Sequence, residues 1–219
     1  MPVTVDVWFD YICPFSLIAR RVVAGALADR DRNGTGNGDG DGTVDGEGRV
    51  EVCWRPFELN PDCAEEAGEY PRGVWENSVL PLAARYGVAL GRPPGRVLRR
   101  SRAAFTGYQY AAEHGAGTAY NDLVFSAYFQ QGMDISDTAV LALLAGRVGL
   151  DRRDFRAALG SPRYTDRHLR AVAEARRVDR VSMVPTVAIG SWRVEGVPST
   201  EQIQRALAGA RARQTPAAL

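Results

Sequence analysis

Between Phe9 and Leu17 the hydrophobic period of the chain changes, and this switch constrains the fold more than any other feature of the 219 residues. Residues 3 to 9 alternate, with Val3, Val5, Val7 and Phe9 on one side and Thr4, Asp6 and Trp8 on the other, which is the pattern of a strand. From Leu17 onward, Ile18, Val22, Val23 and Leu27 recur at helical spacing beside Arg20 and Arg21, so a helix is expected to begin at or just after Cys13. Pro14 suits the first helical position, because its ring is pre-set for it and its missing N–H has no partner there in any case. A sulfur is therefore held at a helix N-terminus. There, unpaired backbone N–H groups and the positive end of the helix dipole favour thiolate over thiol. Two readings of Cys13 follow, a nucleophile with a depressed pKa or a buried structural cysteine.

Composition removes several other classes of function. The formal net charge is +1, which gives no electrostatic reason to expect nucleic acid or a membrane surface as partner. No stretch approaches the ~18 consecutive apolar residues of a membrane span. The chain opens directly on a strand with nothing resembling a leader peptide, so a cytoplasmic location is expected. Three cysteines, an odd number, make no disulfide framework, and oxidative folding is an unsuitable task for a reducing compartment. Two histidines, His114 and His168, are too few and too isolated for a metal site, and His114 reads as a helix-end cap.

Further along, residues 31–48 are rich in Gly and Asp and read as a solvated loop. Asp39 and Asp41 begin like a calcium loop, but Val44 and Val50 stand where it needs Gly and Glu. A second strand over 49–55 alternates Val50, Val52 and Trp54 against Glu51, Cys53 and Arg55, which makes Cys53 a core residue without chemistry. Arg55 and Glu58 either anchor a polar group or pair with each other across the turn. Cys63 is the remaining thiol that could pair with Cys13. Helical spacing dominates near 74–86, 96–113, 118–131, 137–147 and 151–159, with Ser136-Asp137 and Asp151 as caps. Another helix is expected from Arg167 to about Val178, then a return strand through 183–190, an edge strand at 192–195, and a last helix with a Ser199/Gln202 capping box.

Four stretches carry a resemblance: Asp10-Tyr11-Ile12-Cys13-Pro14-Phe15-Ser16, Trp54 to Pro61, Ala127 to Ile135, and Val184 to Gly190. In this order they resemble the DsbA-like thioredoxin-fold family, especially its cytoplasmic FrnE-type branch and the related 2-hydroxychromene-2-carboxylate isomerases and kappa-class glutathione transferases. The resemblance implies an α/β thioredoxin fold with a large helical insertion. Residues 1–60 and 166–219 would form the thioredoxin-like domain and 61–165 the insertion. It also implies a cis Pro185 beside Cys13, with the Val184 backbone as the ligand-pairing edge. Substrate contacts would then come from Pro14, Phe15, Val184, Pro185 and Arg55, together with insertion aromatics among Phe105, Tyr108, Tyr128 and Phe129 if these line an apolar tunnel rather than simply filling a core.

One departure from that family bears on function. Its oxidoreductases carry Cys-x-x-Cys, whereas Ser16 stands here at the second position, and a hydroxyl can neither resolve a mixed disulfide nor store oxidising equivalents. Three functions remain. The first is an isomerase in which the Cys13 thiolate adds reversibly to an activated or conjugated double bond, with Ser16 bonding the thiolate and Tyr11, Ser16 or the helix start serving the enolate. The second is a monothiol thiol–disulfide exchanger, and the third is a non-catalytic binding module. The isomerase is the expectation, on a small, apolar or conjugated substrate such as those of polyketide or secondary metabolism. It requires no cofactor, though glutathione or mycothiol remains open as an external thiol. A homodimer is compatible with the sequence.

Overall fold

The structure is a computed structural model, and it describes residues 2–33, 50–61, 71–91 and 100–213. Cys63, Asp39, Asp41 and most of the Gly/Asp-rich stretch lie outside the described residues. Strand β1 (Val3–Phe9) leads through a tight turn into α1 (Pro14–Asn33), and β2 (Val50–Pro56) follows. The chain then forms α2 (Arg72–Val74), a π-helical stretch Trp75–Val79, and α3 (Leu80–Arg85). Next come α4 (Arg102–Glu113), α5 (Gly117–Phe129), α6 (Thr138–Arg147), α7 (Arg152–Leu159) and α8 (Pro162–Arg177). It returns to the sheet with β3 (Thr186–Ile189) and β4 (Trp192–Glu195) and ends in α9 (Thr200–Ala212).

The strand order is β2-β1-β3-β4. β1 runs parallel to β2, with Val5 opposite Val52, and antiparallel to β3, with Val7 opposite Val187. A parallel neighbour requires a crossover, and α1 lies on that connection. Val3, Val5 and Val7 pack with Ile18, Val22 and Val23 of α1 and with Ile203 and Leu207 of α9, while Trp8 packs on the opposite face with Ala175 of α8. Each such fully buried aliphatic side chain contributes ~1.5–3 kcal/mol relative to exposure. Phe9 breaks the sheet pattern. Instead of joining Val3, Val5 and Val7 it enters the core of the helical insertion, where its ring meets Tyr11, Phe105 and Phe125.

The start of α8 differs from the sequence reading. α8 begins at Pro162 and not at Arg167, because Pro162 occupies its first turn and Tyr164, His168, Val172 and Ala175 extend one buried stripe over its full length. The capping box of α9 forms between Ser199 and Gln202, and Asp137 and Asp151 cap α6 and α7 by accepting backbone N–H groups.

Candidate active site

The turn Asp10–Cys13 has anchors in both cores. Phe9, Tyr11 and Ile12 belong to the insertion core, whereas Cys13 sits in a smaller apolar cluster with Trp8, Phe57, Ala175, Val181 and Val184. The Cys13 N–H donates to the Asp10 carbonyl at 3.1 Å, and the Cys13 carbonyl accepts the Ser16 N–H at 3.0 Å, which starts the helix directly after the cysteine. The thiol is 5% exposed and donates to the Val184 carbonyl at 3.4 Å. Val184-Pro185 is a cis bond, and the Pro185 carbonyl accepts the Gly196 N–H at 2.7 Å, which ties this loop to the segment after β4.

Electrostatics at the sulfur run against the helix-terminus expectation. Burial pushes the Cys13 thiol up to about 11, although the Ser16 hydroxyl and the N–H groups of Ser16 and Phe15 favour the thiolate; the charge of Asp10 raises it further. Donors at a helix start lower a pKa when the sulfur also has solvent around it. Here the surrounding apolar side chains remove that solvent, and desolvation wins.

Asp10 is the site residue to which the sequence reading gave no role. It is 0% exposed, and its carboxylate accepts the Ile12 N–H at 3.3 Å and the Leu59 N–H at 2.7 Å, with the Ser101 hydroxyl beside it. Its own N–H donates to Ser16 Oγ at 3.3 Å. Burial raises its carboxyl to about 7 against the lowering effect of those donors. A signal was present in the sequence, since an acid directly after an apolar strand and three residues before a helix-start cysteine has little access to water.

Glu58 and His168 form a second buried group behind the loop that follows β2. Glu58 is 1% exposed and accepts Arg102 Nε at 3.1 Å, and His168, 0% exposed, places Nε2 3.2 Å from Glu58 Oε2 while its ring stacks on Phe105. Arg176 donates to the Glu58 carbonyl at 2.8 Å, with its guanidinium over the Phe57 ring. The expected Arg55–Glu58 pair therefore does not form. Arg55 lies on the exposed side of β2 and donates to Asp6 of β1 at 2.8 Å, while the chain turns Glu58 inward.

The structure brings Cys13, Ser16, Pro14, Val184 and Pro185 together and sets Phe15, half-buried, where all three apolar clusters meet. It does not bring the other candidates there. The Tyr11 hydroxyl donates to Asn121 of α5, inside the insertion core. Phe105, Tyr128 and Phe129 are buried in that same core, the last two edge-to-face at 4.8 Å, and Tyr108 lies at its margin with its hydroxyl on the Trp54 carbonyl. Ring-on-ring packing uses the faces that a tunnel would need. Cys53 is half-buried on β2, and His114 caps α4 with Nδ1 2.9 Å from the Tyr110 carbonyl. Among the described residues no group of three or more His, Cys, Asp or Glu side chains could hold a metal ion, and no helix is long and apolar enough to cross a membrane.

Comparison with known proteins agrees with this geometry. The family model for a DSBA-like thioredoxin domain matches residues 4–208. YwbO of Bacillus subtilis is 29% identical over 211 residues, covering 94% of this chain and 96% of that protein. Among solved structures, a probable DsbA oxidoreductase from Streptomyces coelicolor superposes with a TM-score of 0.76 at 23% identity, covering 99% of this chain and 93% of that one. A 2-hydroxychromene-2-carboxylate isomerase gives a TM-score of 0.69 at 22% identity, covering 96% and 95%. At such identities these two structures share the fold.

Proposed function

Because the chain belongs to the DSBA-like thioredoxin domain family, whose fold serves both isomerases and thiol–disulfide enzymes, we propose that it is a thiol-dependent isomerase with Cys13 as its single nucleophile. The observation that carries this reading is the environment of the sulfur. Cys13 is enclosed by Trp8, Phe57, Val181 and Val184, and the second motif position holds the Ser16 hydroxyl, itself engaged by the Asp10 N–H. Such a sulfur exposes little thiolate to soluble disulfides. It suits an apolar substrate that carries its own electrophile into the cluster.

In the proposed cycle the thiolate adds to the β-carbon of a conjugated double bond, so that a C–S bond forms and the π electrons pass to the conjugated carbonyl oxygen. Rotation about the resulting single bond follows. The enolate then collapses, the C–S bond breaks and the thiolate leaves, with no net oxidation or reduction. The Ser16 hydroxyl and the N–H groups of Phe15 and Ser16 stabilise the thiolate, and Val184 and Pro185 form the opposite wall. No external thiol takes part in this scheme, and the cytoplasm is its expected setting.

Two parallel incubations test it, one with a polyenoyl thioester and one with oxidised glutathione, read by NMR of double-bond geometry and by intact mass. The expected result is geometric isomerisation that Cys13→Ala abolishes. A mixed disulfide on Cys13 that free thiol removes, with double-bond geometry unchanged, would replace the isomerase by monothiol exchange.

A further inference from the structure

Among the described residues of the apolar cluster around Cys13, Trp8 carries the one side-chain hydrogen-bond donor apart from the thiol itself. Its companions there, Phe57, Ala175, Val181 and Val184, have no polar side-chain atom. Trp8 is 5% exposed, and its indole Nε1–H is buried with no acceptor among the described residues. A buried indole N–H normally has a partner, because leaving water without one costs stability. The strand register also places this residue. Trp8 lies opposite Thr186 of β3, and Thr186 directly follows Pro185, so Trp8 stands beside the cis-proline loop whose Val184 carbonyl accepts the Cys13 thiol. The Arg193 guanidinium lies 5.7 Å from the centroid of the Trp8 ring and is held there by the carbonyls of Asp179 and Arg180, which fixes the ring in place.

Conjugate addition by Cys13 delivers negative charge to a carbonyl oxygen, and the groups expected to meet that charge are engaged elsewhere. The Tyr11 hydroxyl donates to Asn121. Ser16 Oγ accepts the Asp10 N–H, and the Ser16 hydroxyl and the Phe15 N–H serve the sulfur. The Ser16 N–H donates to the Cys13 carbonyl.

Resting on the reading of Cys13 as the nucleophile of a conjugate addition, we propose that Trp8 is a further catalytic residue, whose indole N–H donates a hydrogen bond to the substrate's carbonyl oxygen as the C–S bond forms. The π electrons reach that oxygen on addition and return to the carbon framework when the C–S bond breaks. The indole keeps its proton throughout, so no proton or electron is gained or lost at Trp8. The donor is fixed before reaction by β1 and by Arg193, and the apolar side chains around it exclude water, which raises the worth of a hydrogen bond to a developing anion. This role narrows the substrate to one with an oxygen acceptor conjugated to the double bond, an enone or an enoyl ester or thioester, and excludes a plain polyene.

Two reagents of similar size separate the charge on oxygen from everything else at Cys13. Acrylamide reacts by conjugate addition and places negative charge on its carbonyl oxygen, whereas iodoacetamide reacts by displacement of iodide and places none there. Their rates at Cys13 are measured by peptide mass spectrometry at one fixed pH in the wild-type protein and in Trp8→Phe. The expected result is that Trp8→Phe lowers the acrylamide-to-iodoacetamide rate ratio by about tenfold to a hundredfold. A purely structural role moves thiol pKa and access, which changes both rates together and leaves the ratio alone. An unchanged or raised ratio overturns the proposal, as does a wild-type Cys13 that reacts with iodoacetamide but takes up no acrylamide. Should circular dichroism show that Trp8→Phe does not fold, ¹H–¹⁵N NMR of the wild-type protein decides instead. A downfield move of the assigned Trp8 indole resonance when Cys13 carries the acrylamide adduct supports the hydrogen bond, and an unmoved resonance overturns it. Neither reagent needs turnover, so these outcomes are distinct from failure of the isomerase reading, which retention of isomerisation in Cys13→Ala reports separately.

Discussion

Cys13 and Asp10 show how a residue's surroundings override its local sequence. Strand, turn, Cys-Pro and helix all favour a thiolate, and the helix-start donors are in place, yet the apolar shell contributed by Phe57, Val181 and Val184 reverses the net effect. Asp10 carries a consequence for stability that can be measured. Its carboxyl titrates near 3.8 when unfolded and near 7 when folded, so between about pH 4 and 7 the folded state holds a proton that the unfolded state has lost. Stability from this group is therefore full at low pH and is lost as pH rises through that window, by an amount on the order of 4 kcal/mol. Urea midpoints at pH 5 and pH 8 should differ in that direction in the wild-type protein, and the difference should shrink in Asp10→Asn. An equal drop in both would assign the dependence to other groups. Position, residue type and the Cys-Pro motif were legible in the sequence. The sign of the shift at Cys13 was not, because apart from Trp8 and Phe15 the apolar residues packed around it, Phe57, Ala175, Val181 and Val184, come from distant parts of the chain.

At the scale of elements, periodicity and caps located most helices to within a few residues, and the misses have local causes. Pro162 is the first residue of α8, a position to which Pro is well suited, and Phe9 ends β1 as its alternation predicts while its side chain packs in the insertion core instead of with Val3, Val5 and Val7. Packing between helices adds a constraint that no helix shows alone. Gly107 of α4 lies under Tyr120 of α5 and Phe155 of α7, and a Cβ there would come within 2.5 Å of both side chains. In an open helix Gly→Ala gains up to ~1 kcal/mol. Here Gly107→Ala should instead destabilise by about 1–3 kcal/mol, since both rings are fully buried and one of them must shift to admit the methyl. Thermal unfolding checks the sign. A raised melting temperature would show that the α4–α5–α7 contact is looser than described.

Across the described residues, polar contacts join the sheet side to the helical insertion beside the Phe9–Phe105–Phe125 rings. They include Tyr11 to Asn121, the Tyr108 hydroxyl on the Trp54 carbonyl, the Arg20–Asp122 ion pair, and Glu58 with Arg102 of α4 and His168 of α8. Glu58→Ala leaves the buried His168 and the partly exposed Arg102 without their carboxylate, and should cost about 3 kcal/mol in urea unfolding. An unchanged urea midpoint in this variant would show that the carboxylate makes no net contribution to the fold. By itself the sequence determined the order of the strands and main helices and the Cys-Pro turn at a helix start, because period, proline placement and caps act over a few residues, while the thioredoxin-like architecture was legible through the resemblance of four stretches to a known family. Only the tertiary structure decided which groups meet there. The Asp10 carboxylate on the Leu59 N–H, Arg55 on Asp6 instead of Glu58, and the aromatic rings in the core depend on contacts with distant segments, and local spacing carries no record of those.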